Sequence, residues 1–138
     1  MNRFGLSLLV LAPLALAGCN QNRPDRDPLE AAFDTHRATM LWGTIEEVMT
    51  LMDPKVRAER PIGSLDLERW RQVDVSGYHE QGQELLAPDR ARHVVQLDIV
   101  NLHTQQARTI TDVQEWRWDE EAKRWWLVSG LPSLTGAK

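Results

Sequence analysis

The chain has 138 residues, 42% hydrophobic and 26% charged, a composition suited to one ordinary globular domain and too short for two. Its formal charge of −4 argues against the clustered Lys and Arg that nucleic-acid phosphates or anionic lipid headgroups require, so no nucleic-acid partner is expected. One cysteine, Cys19, leaves no disulfide within the chain and no zinc site built on cysteines.

Met1 to Arg3 is a short polar start with one positive charge, Phe4 to Leu16 is a nearly unbroken apolar run, and Ala17 and Gly18 are small. This order of charged, apolar and small regions is that of a secretory signal. The apolar run is about thirteen residues and contains Pro13, short of the roughly 20 that a spanning helix needs. The segment Leu16-Ala17-Gly18-Cys19 resembles the lipobox of bacterial lipoproteins. That resemblance implies a diacylglycerol on the Cys19 sulfur, cleavage just before it, and acylation of the new amino group. Two or three acyl chains at about 0.8 kcal/mol per buried CH₂ hold a protein stably on a membrane. Asn20, and not Asp, follows the cysteine, which by the same resemblance leans toward the outer membrane, facing the periplasm. From Asn20 to Pro28 the chain has no apolar side chain except proline, so it reads as a flexible tether reaching at most about 30 Å. The expected organisation is a lipoprotein signal peptide over 1–18, the lipidated Cys19 and linker over 19–27, a single α+β domain over 28–132, and a disordered tail over 133–138.

Asp27-Pro28-Leu29-Glu30 is a helix start, with Asp27 as cap and Pro28 in the first turn. Leu29, Phe33, His36, Met40 and Leu41 recur at helical spacing until Gly43 breaks the pattern. Thr44 to Glu47 is a capping box opening a second helix that Asp53-Pro54 stops. The spacing predicts helices over 28–42 and 44–53, bent at Gly43. Lys55 to Gly63 reads as a loop, and Ser64 or Asp66 caps a short helix through Leu67, Trp70 and Arg71.

From Gln72 the period changes to 2. Val73 and Val75 start a strand to about His79, with Gly77 marking a bulge, and Gln81 to Arg90 reads as a loop or ragged edge strand. A strand over about 92–103 places His93, Val95, Leu97 and Ile99 opposite Val94, Gln96, Asp98 and Val100. The next runs from Ala107 to Trp118, with Ile110, Asp112, Gln114, Trp116 and Trp118 on one face, and the last from Arg124 to Leu131. Helices followed by an antiparallel meander predict an α+β fold, a bent N-terminal helix pair packed on a curved sheet of about four strands.

The hinge Trp42-Gly43-Thr44-Ile45-Glu46-Glu47, the segment Leu51-Met52-Asp53-Pro54, and the hairpin Glu115-Trp116-Arg117-Trp118 with Arg124-Trp125-Trp126-Leu127-Val128 resemble the nuclear-transport-factor-2-like superfamily, over about residues 28–131. The resemblance implies a cystatin-like cone with a cavity. It does not fix the function, since members include isomerases, dehydratases, small-molecule binders and protein-binding modules.

His79 and His93 fall near the ends of strands that could be neighbours, but no third ligand is placed by spacing, so surface histidines are the simpler reading and no metal is expected. His36, on the apolar stripe of the first helix, reads as a half-buried core residue. Asp98 and His103, with Tyr78 as a possible donor, are the acid–base candidates; Asp98 alternates against Leu97 and Ile99 and so faces water. No nucleophile elbow, phosphate-cradling loop, zinc-protease motif or dinucleotide fingerprint is present, and no cofactor is expected.

Six Trp stand against two Phe and one Tyr. Trp116 and Trp118 share a face, whereas Trp125 and Trp126 point to opposite sides. Trp42 and Trp70 are expected to close the core near helix ends. An exposed Trp is a favoured interface anchor, so Trp116, Trp118, Trp125 and Trp126 are the candidate partner or ligand contacts. The expectation is a non-enzymatic, membrane-anchored module that binds an envelope protein. A cone holding a small apolar ligand is the alternative, and a hydrolase or isomerase a more distant one.

Overall fold

The computed structural model describes residues 27–135. The segment expected to be a signal peptide, Cys19, all of the expected linker except Asp27, and residues 136–138 lie outside the described residues. Among the described residues the fold is α+β, with four helices followed by an open sheet of four antiparallel strands in the order β1-β2-β3-β4. Among the described residues no helix is long and apolar enough to cross a membrane.

Helix α1 (Pro28–Trp42) begins where Asp27 accepts from the Leu29 N–H at 3.0 Å, and it buries Phe33, His36 and Met40. Helix α2 (Ile45–Met49) opens on the expected capping box. The Thr44 N–H donates to Glu47 Oε2 at 2.7 Å, and the Glu47 N–H donates to Thr44 Oγ1 at 3.2 Å. Gly43 joins the two helices because there is no room for more: a Cβ there would sit 2.7 Å from Glu47 Oε2 and 2.8 Å from the Thr39 carbonyl oxygen.

The second helix is shorter than predicted, and the loop expected after it is partly helical. Asp53 does not merely stop α2; it starts α3 (Pro54–Glu59), accepting from the Lys55 N–H at 2.8 Å. Asp-Pro is the same cap-and-first-turn signal that starts α1. Helix α4 (Ser64–Trp70) follows and buries Trp70.

Strand β1 (Val73–Ala87) continues through the segment that read as a loop or ragged edge, paired with β2 (Arg90–Asn101) across three register shifts, one of them between Val75 and Gly77. Its glycines and polar residues carry no apolar alternation there, so the pairing with β2 and not its own pattern defines it. Strand β3 (Ala107–Asp119) pairs along β2, and β4 (Arg124–Leu127) closes the sheet, four residues shorter than expected. A parallel bridge from Met52 to Leu127 ties the α2–α3 junction to β4.

The core forms two clusters. One gathers Met40, Val48, Trp70, Val95, Leu97, Ile99 and Ile110 with Leu134, which lies within the segment read as a tail. The other gathers Phe33, Met52, Ala91, Trp116, Trp125 and Leu127. Trp70 closes the first cluster as expected, but Trp42 does not. It is 85% exposed, because the buried stripe of α1 passes through Phe33, His36 and Met40 and leaves position 42 on the water side.

Candidate functional site

Between the two apolar clusters lies a belt of polar side chains. His36 comes from α1, Tyr78 from β1, His93 from β2, and Asp112 and Gln114 from β3. His36, His93, Asp112 and Gln114 are 3% exposed or less. Period-2 alternation places them there: Asp112 and Gln114 fall between Ile110 and Trp116 on the inner face of β3, and His93 between Ala91 and Val95 on that of β2.

Gln114 is the hub. The Trp116 indole N–H can only donate, and it donates to Gln114 Oε1 at 3.2 Å, which fixes the amide orientation. His93 Nδ1 lies 3.3 Å from the same oxygen and therefore carries its proton. Gln114 Nε2 donates to Asp112 Oδ2 at 2.8 Å and to the Tyr78 hydroxyl at 3.2 Å. That hydroxyl stands 3.1 Å from His36 Nδ1, and with its oxygen already accepting it donates to the bare ring nitrogen. Phe33 stacks on His93 with centroids 4.1 Å apart, and Trp116 meets His36 edge-on at 5.7 Å.

Burial sets the protonation of the belt. It pushes the Asp112 carboxyl up to about 6, with the Gln114 bond pulling the other way. It holds the His36 imidazole down at about 4, helped by His93, and lowers His93 as well. It raises the Tyr78 hydroxyl far above its usual range. Near neutral pH both imidazoles are therefore neutral. Asp112, raised to about 6, is largely a carboxylate there, and every fully buried polar side-chain atom among the described residues already has a partner. A network satisfied in this way fixes one arrangement of the core.

The acid–base candidates are not brought together. Asp98 lies on the outer face as its alternation predicts. His79 Nε2 is 2.7 Å from Asp98 Oδ2, and the Thr109 hydroxyl donates to Oδ1 at 2.7 Å. The Thr109 bond and then the His79 bond hold the Asp98 carboxyl below its usual range. Gly77 makes this pair possible, since a Cβ there would stand 2.6 Å from Asp98 Oδ2 and 2.9 Å from His79 Nε2. Tyr78 faces inward instead, and His103 lies exposed in the β2–β3 turn, its backbone N–H donating to Asn101 Oδ1. His79 and His93 sit on adjacent strands but on opposite faces, His93 buried and His79 exposed. Among the described residues no three His, Cys, Asp or Glu are grouped to hold a metal ion.

No family model, curated protein or solved structure matches this chain. The four candidate tryptophans divide by exposure, with Trp118 on the same face as Trp116 and Trp125, and Trp126 on the other. Trp116 and Trp125 are 1% and 8% exposed. Trp118 and Trp126 are half-buried, and their indoles donate to Glu120 at 2.7 Å and Asp119 at 3.2 Å. The Arg124 guanidinium lies 3.7 Å above the Trp126 ring. The sequence reading missed Asp112 and Gln114 as a pair, although the alternation that put Asp98 outside also put these two inside. Beyond this hairpin, β1 from His79 to Leu86 is exposed at every residue along the sheet edge, with Leu85 at 61% and Leu86 at 44%.

Proposed function

We propose that this chain is a lipid-anchored module of the cell envelope, held by Cys19 on the outer membrane, facing the periplasm, and that it binds a protein partner without catalysing a reaction. Its domain is read as a nuclear-transport-factor-2-like cone, on the bent α1–α2 pair and the antiparallel meander. The observation that carries the reading is the free edge of β1: eight consecutive exposed residues whose outer backbone groups are open to another strand, ending in two exposed leucines. The Pro88-Asp89 turn that follows lies beside the Trp hairpin, with the backbone N–H of Trp118 donating to the Asp89 carbonyl at 2.9 Å. Trp118 and Trp126 thus flank the same end of the sheet. The inner face supports the non-enzymatic part of the reading, because its titratable groups are committed to one another.

The test has two arms. Intact-mass measurement of the mature chain should show residues 19–138 plus acyl groups, and Cys19→Ser should lose both the added mass and membrane retention. A photo-crosslinking residue placed at 85, 86 or 118 in living cells should give one discrete adduct, whereas the same probe at position 113, exposed on the middle of the outer face, should not. Absence of an adduct from all three positions would remove the partner-binding reading.

A further inference from the structure

A cavity of about 300 Å³ lies between the α3–α4 loop and the chain that follows β4, with room for about ten water-sized groups. No strand residue lines it, so it is separate from the polar belt and from the β1 edge. Its floor is apolar: Met52, Trp70 and Leu134 line it and are 2%, 6% and 6% exposed. Gly130, at φ 79°, turns the chain over it, and a Cβ there would meet nothing nearer than Met52 Cε at 3.9 Å. Two cations from different elements stand at its rim. Arg60 caps α3 and donates to the Val128 carbonyl at 3.3 Å, and among the described residues it forms no ion pair. Arg69, on α4, is held by Asp66 at 3.1 Å.

Two buried indoles are left over. Trp116, Trp118 and Trp126 each give their indole N–H to a side chain. Trp70 and Trp125, 6% and 8% exposed, have no indole partner among the described residues, and because no fully buried polar side-chain atom there lacks one, both N–H groups keep some solvent contact; of the two, only Trp70 lines this cavity. A buried indole whose N–H stays open in this way can offer the donor to a ligand. We infer that this cavity binds a small amphipathic carboxylate, its apolar body lying on Met52 and Trp70 and its charged head meeting Arg60 and the Trp70 N–H. A neutral apolar molecule would leave both donors unused. Inorganic phosphate would leave the apolar floor uncovered. A cation would meet two arginines against one aspartate that is already paired.

The test uses the full chain in detergent with ¹⁵N-labelled tryptophan, titrated with hexanoate, 1-hexanol and acetate. Hexanoate has eight non-hydrogen atoms and fits the volume. Its addition should shift the Trp70 indole resonance saturably, and both 1-hexanol and acetate should bind at least about tenfold more weakly. Arg60→Met should weaken hexanoate by about tenfold and leave 1-hexanol unchanged, partition into detergent being common to both proteins. No saturable Trp70 shift, or equal affinity for hexanoate and 1-hexanol, would overturn the inference even if Arg60→Met fails to fold. Neither result bears on the β1 edge or on Cys19, so that reading stands or falls separately.

Discussion

Asp112 and His36 belong to one buried network, yet burial moves their protonation in opposite directions, and the consequence for stability can be worked out in sign. Asp112 ionises at about 6 in the folded chain against 3.8 for an ordinary Asp. It is neutral in both states below pH 4, and its contribution is lost as pH rises through about 6, by about 3 kcal/mol. His36 titrates at about 4 against 6.5. It is neutral in both states above pH 6.5, and stability is lost as pH falls from there to about 4, again by about 3 kcal/mol. Between pH 4 and 6 the two slopes oppose each other. Asp112→Asn keeps an oxygen for the Gln114 amide and removes the buried charge. Urea unfolding should find this variant about 2–3 kcal/mol more stable than the parent at pH 8 and no more stable at pH 4. Its stability should fall steadily between pH 6.5 and 4, where the histidine slope is no longer offset. A variant with no advantage at pH 8 would contradict the assignment of a buried, charged Asp112. The placement of this residue was legible in the sequence, since it alternates in step with Ile110 and Trp116. Its partnership was not, because Gln114, Tyr78 and His36 meet only through the tertiary fold.

At the scale of elements, α3 shows how one signal serves two readings. Asp53-Pro54 ends one helix because the residue before proline leaves the helical region, and it begins the next because Asp caps and Pro fits the first turn. The structure uses both, and it uses Asp53 a third time. Arg117 Nε and Nη2 lie 3.1 and 2.5 Å from Asp53 Oδ2, which fastens α3 to β3. Burial pushes the Asp53 carboxyl up, but the Arg117 bonds and the Lys55 N–H outweigh it and hold the group below its usual range. With its side chain 4% exposed, Asp53 cannot easily find water if the cation is removed. Arg117→Met should therefore cost about 3 kcal/mol in denaturant unfolding. Adding Asp53→Asn to it should recover part of that loss, since asparagine still caps α3 and carries no charge. A double variant less stable than Arg117→Met alone would show that Asp53 acts through its cap and not through the ion pair. No sequence pattern announces this pair, because its members lie 64 residues apart and Arg117 falls on the outer side of β3 by alternation.

Across the whole molecule, the polar belt decides whether the two apolar clusters behave as one core. On α1 it separates Phe33 from Met40, on β2 Ala91 from Val95, and on β3 Ile110 from Trp116, each pair divided between the two clusters. The alternation of β2 and β3 made the inner face readable from sequence, and the period of α1 made His36 part of its stripe. That these lines of residues meet in a single belt depends on contacts spanning up to 78 residues, which local periodicity does not encode. Gln114 lies within hydrogen-bond distance of every other member of the belt, and its loss would leave Asp112, Tyr78, His93 and Trp116 short of a partner at once. Gln114→Met, close in volume, should therefore cost 3 kcal/mol or about that, more than a single neutral hydrogen bond contributes. It should also loosen the coupling between the clusters. In a Trp70→Phe background, which removes the tryptophan of the first cluster, the buried Trp116 and Trp125 report on the other cluster, and the helical signal of α1 and the strands reports on both. In the parent chain, tryptophan fluorescence and far-ultraviolet circular dichroism should follow one unfolding curve. In Gln114→Met the fluorescence transition should come at lower denaturant. Coincident transitions in the variant would mean that the backbone sheet alone, and not the belt, joins the two halves of the core.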